Sequence, residues 1–443
     1  MLVIRNGRSY WIGLSHSGDS RHTSTILRRQ DQREAVVDIR RRPLVSSSRP
    51  GRCTAGIAER VDGRPGENDV TPAAHAEAIA GIRELARSEL SPLPPHDAPG
   101  VDRRLLRILG QIGLLPRIFP STHGGAHDGD LSAVELCLLR EGLACESTAA
   151  ETALALQGLG AYPVLLHGSE QLATKWIPPV ARGEAVAGFA LTEPGAGSDA
   201  GAIALAAERD GDGWRLSGAK KWISNAPDAD VYTVFARTGT DEGARGVTAF
   251  VVPGDTDGLS GRRLEMLSPH AIGSLELDGV WVPGTAVLGE LGGGFRVAMR
   301  TLDLFRPSVG AHAVGMAQAA LEAAVAHAGK RRAFDRPLRD FQGVSHKLAD
   351  MATRTQAARL LVYDAAMAHD AGAEGVTSRS AMAKLFATES AQEVVDAAVQ
   401  IHGAAGLERG HLLEHLYREV RATRIYEGSS EIQRNIVARE LYR

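Results

Sequence analysis

Cysteine is scarce in this chain of 443 residues, which contains only Cys53, Cys137 and Cys145. No two of them have the close spacing of a metal site, and three thiols are too few for a disulfide framework. Such sparse cysteine usage is typical of proteins in a reducing compartment. We therefore expect a cytoplasmic protein.

Long apolar runs and an excess of one charge are also absent. No stretch of about 18 uninterrupted apolar residues occurs, so the sequence predicts no membrane-spanning helix and no membrane partner. The net charge of -3 offers no basic surface, which argues against nucleic-acid binding. The apolar content of 44% is that of an ordinary globular protein long enough for two or three domains.

Two pairs of histidines have the four-residue spacing that can place two metal ligands on one helix face. His123 and His127 lie in a glycine-rich loop, where this spacing fixes no common face. His411 and His415 have no clear third ligand in their surroundings. We therefore expect no metal site.

The first 70 residues differ in texture from the rest of the chain. They contain arginine clusters and serine runs with little apolar periodicity, which predicts a mostly disordered extension over residues 1–70. Arginine and serine are also common in transit peptides, but acidic residues such as Asp19 and Asp31 argue against one. A start codon assigned too far upstream is the plain alternative.

The remaining chain changes its periodicity twice. Apolar residues recur at three-to-four spacing between 71 and 187, which predicts an N-terminal helical domain. Short segments bounded by Gly, Pro and Asp predict a β-barrel or β-sandwich domain over 188–290. Four amphipathic stretches predict a C-terminal four-helix bundle over 291–443, with its first helix beginning near Pro307. The predicted fold is therefore a multi-domain α+β protein, mainly α.

Three segments carry residues suited to binding or chemistry. Residues 192–199 (TEPGAGSD) contain small residues that let a ligand approach the backbone closely. Residues 221–225 (KWISN) contain Trp222, which could cover a flat ring. Residues 426–433 (YEGSSEIQ) contain Glu427 ahead of a capping-box pattern formed by Ser430 and Gln433. Alone, each has an ordinary structural interpretation: a turn, a core tryptophan and a surface glutamate near a helix start.

Taken together and in this order, the three segments resemble the acyl-CoA dehydrogenases over about residues 73–443. Supporting stretches are 331–334 (RRAF), Gln342, 348–351 (LADM) and 400–407 (QIHGAAGL). The resemblance implies an FAD cofactor and a site shared between subunits of a homotetramer or homodimer. The residues that it implies for FAD binding are Thr192, Trp222, Ser224, Arg331, Phe334, Gln342, Gln400, Gly403, Ser429 and Glu431. The residues that it implies on the substrate side are Ser198, Asp303, Arg306 and Gly428.

The resemblance also implies a reaction. Glu427 would remove the α-proton of an acyl-CoA, and flavin N5 would accept the β-hydride, which gives a trans-2-enoyl-CoA. Water exclusion would raise the pKa of this carboxyl toward the working range. An electron-transferring flavoprotein would then take the electrons. Some members carry the base directly before the bundle arginine, but this chain has Phe305 there.

Several positions depart from the family pattern and leave the substrate open. Asp335 stands where glycine is usual, and Ala333 replaces a common hydroxyl residue. Phe305 and Phe295 favour short, branched or cyclic acyl groups. The alternatives are dehydrogenation of a thioester on acyl carrier protein, a flavin oxidase or monooxygenase of the same superfamily, and a non-catalytic flavin-binding paralogue.

Overall fold

A computed structural model describes the protein over residues 2–5, 8–11, 72–90, 100–239, 243–268 and 270–442. The chain divides into two compact units, Met1–Gly66 and Glu67–Arg443.

In the first unit, the described residues form an antiparallel pair of strands, β1 (Leu2–Arg5) and β2 (Arg8–Trp11). Aromatic and β-branched residues favour strand structure, and the sequence between the strands is Asn-Gly, the strongest short hairpin signal. The rest of the predicted extension lies outside the described residues.

The second unit begins with helices whose starts are set by capping side chains. They are α1 (Pro72–Glu89), α2 (Arg103–Gln111), α3 (Ala133–Glu146), α4 (Thr148–His167) and α5 (Glu170–Ala181). The caps of α2 to α5 are Asp102, Ser132, Ser147 and Ser169, each accepting a hydrogen bond from a backbone N–H of the first turn. Most residues of α3 and α4 are buried, which makes these two helices the centre of the N-terminal region.

The middle region forms one eight-stranded mixed sheet. Its strands are β3 (Ala187–Ala190), β4 (Ala206–Asp210), β5 (Gly213–Ser224), β6 (Val231–Arg237), β7 (Val247–Pro253), β8 (Leu259–Arg263), β9 (Ile272–Pro283) and β10 (Val287–Leu288). The order is β10-β7-β6-β4-β5-β9-β8, and β3 pairs with β6 in parallel. Buried side chains including Trp214, Tyr232 and Phe250 give the sheet its own apolar core.

Long helices return after the sheet. They are α6 (Gly294–Lys330), α7 (Gln342–Asp370), α8 (Val376–His402), α9 (Leu412–Val420) and α10 (Ser430–Glu440). The two-residue strands β11 (Arg332–Ala333) and β12 (Arg336–Pro337) pair between α6 and α7. Helix α6 packs against α3, α7 and α8, and α10 packs against α8. The helix–sheet–helix order confirms the predicted α+β fold, mainly α.

The start of α6 differs from the prediction. The helix begins at Gly294, so Pro307 lies inside it rather than in its first turn. Proline removes one backbone hydrogen bond, but every residue from Leu304 to Ala317 is buried, and this packing outweighs the local cost.

Helix α6 is also the one helix, within the described ranges, that is long and apolar enough to cross a membrane. Because 67% of its most apolar window is buried inside the protein, α6 is packed as a core helix.

Candidate active site

Glu427 lies in the loop between α9 and α10, in a backbone conformation that side chains rarely adopt. Its φ is 49°, and the following Gly428 has a φ of 89°. A non-glycine residue in this left-handed region costs about 1 kcal/mol or more, and such residues cluster at functional sites. Such a conformation persists only where the surrounding structure holds it, so contacts with neighbouring helices must fix this loop.

Two side chains bind the carbonyl groups of this loop. Lys384 Nζ, from α8, donates to the carbonyl oxygens of Tyr426 at 3.0 Å and Gly428 at 2.7 Å. Gln433 Nε2, from α10, donates to the same Gly428 oxygen at 2.8 Å. The backbone on both sides of Glu427 is thus attached to the bundle.

The start of α10 is capped by Ser429, whose side chain accepts from the Ile432 N–H. The predicted capping box placed Ser430 and Gln433 in that role, and it was wrong by one residue. Ser430 instead donates to Glu389 of α8 at 2.6 Å, and Gln433 reaches back to the loop carbonyls. Both side chains support the Glu427 loop rather than the helix end.

The carboxyl group of Glu427 is poorly solvated. The residue is half-buried, but its Oε2 atom is fully buried and has no hydrogen-bond partner within the described part of the chain. Burial raises the pKa of Glu427, while the positive charges of Arg140, Lys384 and Arg306 act to lower it. The arrangement is that of a carboxyl group able to take up a proton.

A buried ionic cluster lies behind the loop. Arg140 of α3 forms an ion pair with Glu151 of α4 and donates to Ser308 Oγ of α6 at 2.8 Å. His312 Nδ1 lies 2.5 Å from the second Glu151 oxygen. Burial acts to raise the pKa of Glu151, but the charges of Arg140 and His312 outweigh it and hold the pKa at about 2.

Sequence reasoning missed Arg140, Glu151 and Lys384. All three are buried, and all interact electrostatically with Glu427. A signal was present, because each is a charged residue inside an apolar helical stretch, where an unpaired charge is unfavourable. That signal does not say which charges meet, since the pairs come from distant parts of the chain.

The predicted substrate-side residues occupy two regions. Arg306 is buried in α6 and donates to Asp303 Oδ1 at 2.7 Å, and its Nε atom has no partner in the described residues. Arg306 interacts electrostatically with Glu427. Gly428, the next residue after Glu427, lies in the same loop. Ser198 instead lies exposed in the loop after β3.

The predicted FAD-binding residues of the sheet lie where β3 and β5 end. Trp222 has a φ of 56° at an irregularity of β5, and its side chain is 47% exposed. The Thr192 carbonyl accepts a hydrogen bond from the Lys221 N–H at 3.0 Å. Ser224 is the last residue of β5. These residues share one end of the sheet.

A buried ion pair supports this end of the sheet. Lys220 Nζ lies 2.8 Å from Glu193 Oε1, and Glu193 also accepts from the Ala204 and Leu205 N–H groups. The loop that begins at Thr192 is thereby tied to β5.

Most of the other predicted FAD residues are exposed on the surface of the chain. Phe334 is 89% exposed at the β11–β12 link, and the remaining exposed members are Arg331, Gln342, Gln400, Gly403 and Glu431. Ser429 is half-buried at the α10 cap. Of the exposed residues, Glu431 lies in the first turn of α10, directly after the Glu427 loop.

Three domain families match the chain in order. They are "Acyl-CoA dehydrogenase, N-terminal domain" over residues 72–184, "Acyl-CoA dehydrogenase, middle domain" over 188–280 and "Acyl-CoA dehydrogenase, C-terminal domain" over 292–442. The chain belongs to the acyl-CoA dehydrogenase family. It is therefore an oxidoreductase that acts on CH–CH groups, as the sequence predicted.

Curated relatives and a solved structure agree with this assignment. A 3-(aryl)acrylate reductase of Clostridium sporogenes is 38% identical over 81% of this chain and 96% of its own length. The cyclohexane-1-carbonyl-CoA dehydrogenase of Geobacter metallireducens is 36% identical over 81% and 95%. The structure of butyryl-CoA dehydrogenase from Megasphaera elsdenii matches with a TM-score of 0.78, at 32% identity over 83% of this chain and 98% of that one.

The cofactor of this acyl-CoA dehydrogenase is FAD, and the residues present fit it. The exposed Trp222 ring offers a flat apolar surface. A side chain built at Gly195 or Gly197 would meet nothing within 4 Å, so the neighbouring loop borders open space. No group of three or more His, Cys, Asp or Glu residues in the described ranges could hold a metal ion.

Proposed function

We propose that this protein dehydrogenates an acyl-CoA to the trans-2-enoyl-CoA, with Glu427 as the base that removes the α-proton. The observation that carries the proposal is the buried Glu427 Oε2 atom without a hydrogen-bond partner in the described residues. A buried polar atom is normally satisfied, and a free one beside a strained backbone is suited to a reacting group.

The electrostatics around Glu427 match this role. The α-C–H of a thioester is a weak acid, so a solvated carboxylate with an ordinary pKa is a poor base for it. Burial raises the pKa of Glu427, which strengthens the base. The surrounding cations limit that rise, so that the group can still be ionised when substrate binds.

Bound FAD supplies the hydride-accepting chemistry. Trp222, Thr192 and Ser224 would hold its ring at the end of the sheet, and the Glu427 backbone N–H would donate to the thioester carbonyl. A donor at that oxygen stabilises the charge that develops when the α-proton leaves.

The packing around Phe305 supports a compact acyl group. Phe305 is fully buried and stands edge-on to Tyr162, with ring centroids 5.7 Å apart. A Cβ atom at Gly158 would lie 2.6 Å from the Phe305 ring, so this ring fills the space between α4 and α6. We propose a short, branched or cyclic acyl chain.

We also propose a homo-oligomer, tetrameric or dimeric, that passes its electrons to an electron-transferring flavoprotein. The exposed Phe334, Arg331 and Gln342 support a shared site, because one subunit leaves them uncovered. A second subunit that covers them would complete the FAD site.

The test is anaerobic mixing of the purified yellow protein with butyryl-CoA, cyclohexane-1-carbonyl-CoA and glutaryl-CoA while the flavin absorbance is recorded. We expect at least one thioester to bleach the flavin, and Glu427→Gln to lose the bleaching while it keeps its flavin. Glu414→Gln, a matched change at a residue that pairs with Arg418 on α9, should bleach normally. Unimpaired bleaching by Glu427→Gln would exclude the proposed mechanism.

A further inference from the structure

Lys384 is a buried ammonium group that forms no salt bridge with any carboxylate in the part of the chain that the structure describes. Its side chain is 0% exposed, and its hydrogen bonds go to two backbone carbonyls. Burial lowers the pKa of Lys384 to about 8, although the charge of Glu427 acts to raise it. Lysine is rarely buried in this way, because leaving water is unfavourable for its charge. A simple packing role would be better served by an apolar side chain.

The two carbonyls that Lys384 binds belong to the residues directly before and after Glu427. The Nζ atom lies 3.0 Å from the Tyr426 oxygen and 2.7 Å from the Gly428 oxygen. One ammonium group thus binds carbonyls of the residues on both sides of Glu427, whose φ is 49°, and it shares the Gly428 oxygen with Gln433. Backbone in this sparsely populated region persists only where its surroundings hold it.

The charge of Lys384 also acts on the Glu427 carboxyl. The charged groups that interact with this carboxyl come from four helices: Arg140 of α3, Glu151 of α4, Arg306 of α6 and Lys384 of α8. Arg140 is engaged by Glu151, and Arg306 is engaged by Asp303. The ammonium of Lys384 interacts with Arg306, Glu389 and Glu431 besides Glu427, and Glu427 is the strongest of these influences.

We propose that Lys384 is a positioning residue for the Glu427 base: its ammonium group holds the carbonyls of both residues that flank Glu427 and keeps a positive charge within electrostatic reach of the carboxylate. The inference rests on the proposed function of Glu427. It gives α8 a role in the proton transfer. Lys384 would act through Glu427 and would not need to contact the flavin or the thioester.

The test compares Lys384→Met and wild type as flavin-bound enzymes, with the thioester that bleaches wild type fastest. Methionine has a similar length but neither donors nor charge. We expect the limiting rate of flavin reduction to fall about tenfold to a hundredfold, because small misplacements of a reacting group have effects of this size. The limb of the pH profile that reports the base should move up by about one pH unit, since a nearby cation favours the ionised form.

Thr388→Val is the matched control on the same helix. Thr388 is fully buried one turn from Lys384 and donates only within α8, so its loss should leave both the rate and the pH limb unchanged. If Lys384→Met does not retain flavin, Lys384→Gln keeps a donor without the charge and must still move the limb.

An unmoved pH limb in a folded Lys384 variant would overturn the proposal, whether or not the rate is lower. Glu427→Gln separates the two ideas. If that variant still bleaches the flavin, the proposed function fails by itself. If it is inactive while Lys384→Met behaves as wild type, only the role of Lys384 is lost.

Discussion

The substitution Glu151→Gln tests the buried ionic cluster behind Glu427, the proposed base. Glutamine keeps the shape of the side chain but removes the charge that pairs with Arg140, and both residues are almost completely buried. The pKa of Glu151 falls from 4.5 to about 2 in the folded protein. Because one pKa unit corresponds to about 1.4 kcal/mol, this carboxylate contributes about 3 kcal/mol at neutral pH. Removing one partner of a buried ion pair costs a similar ~3–5 kcal/mol.

The sign of the pH dependence follows from the lowered pKa of Glu151. The stabilisation is fully present above pH 4.5 and is lost as the pH falls toward about 2. The free-energy difference between wild type and variant should therefore be smaller by about 1 kcal/mol at about pH 4 than at about pH 7.

The assay is urea unfolding followed by tryptophan fluorescence at both pH values. Glu322→Gln is the control, because Glu322 pairs with Arg83 at the surface and its side chain is 46% exposed. That variant should lose no more than about 1 kcal/mol. A loss of under 1 kcal/mol for Glu151→Gln at about pH 7 would refute the reasoning.

Three further predictions concern other buried ionisable groups. Because the pKa of Glu427 is raised, Glu427→Gln should be more stable than wild type at about pH 8, with the gain fading toward pH 4.5; no gain in a thermal melt would contradict this. Lys220→Met leaves Glu193 without its cation and should lower the free energy of unfolding, measured in urea, by about 3–5 kcal/mol; an unchanged value would mean that the pair does not stabilise the fold. Burial acts to lower the pKa of His270, but Glu419 outweighs it and raises the pKa, so His270→Gln should cost more stability at about pH 6 than at about pH 9; an equal cost at both would count against the pair.

Patterns that lie along the chain predicted the fold well. The three-to-four spacing of apolar residues indicated the helices, and the short β-branched segments indicated the sheet, because these periodicities follow directly from helix and strand geometry. Boundaries were less predictable. Pro307 is a strong helix-start signal, yet burial of the surrounding helix overrides it and moves the start to Gly294.

The candidate site was only partly predictable. Glu427, Trp222 and Thr192 lie in segments whose residue types resemble a known family, so the sequence offered them as candidates. Arg140 and Lys384 lie in no such segment, because their contacts are with residues far away in the sequence. Arg140 binds Ser308, 168 positions away, and Lys384 binds Tyr426, 42 positions away. Only the folded protein brings these charges around Glu427.

Exchange of the substrate α-protons in D₂O tests the central claim most directly. With the flavin already reduced, hydride transfer from the substrate is blocked, and exchange reports the base alone. We predict that wild type and Glu414→Gln place deuterium at the α-carbon of a bound acyl-CoA, as mass spectrometry would show, and that Glu427→Gln does not. Deuterium uptake by Glu427→Gln at the wild-type rate would contradict the account.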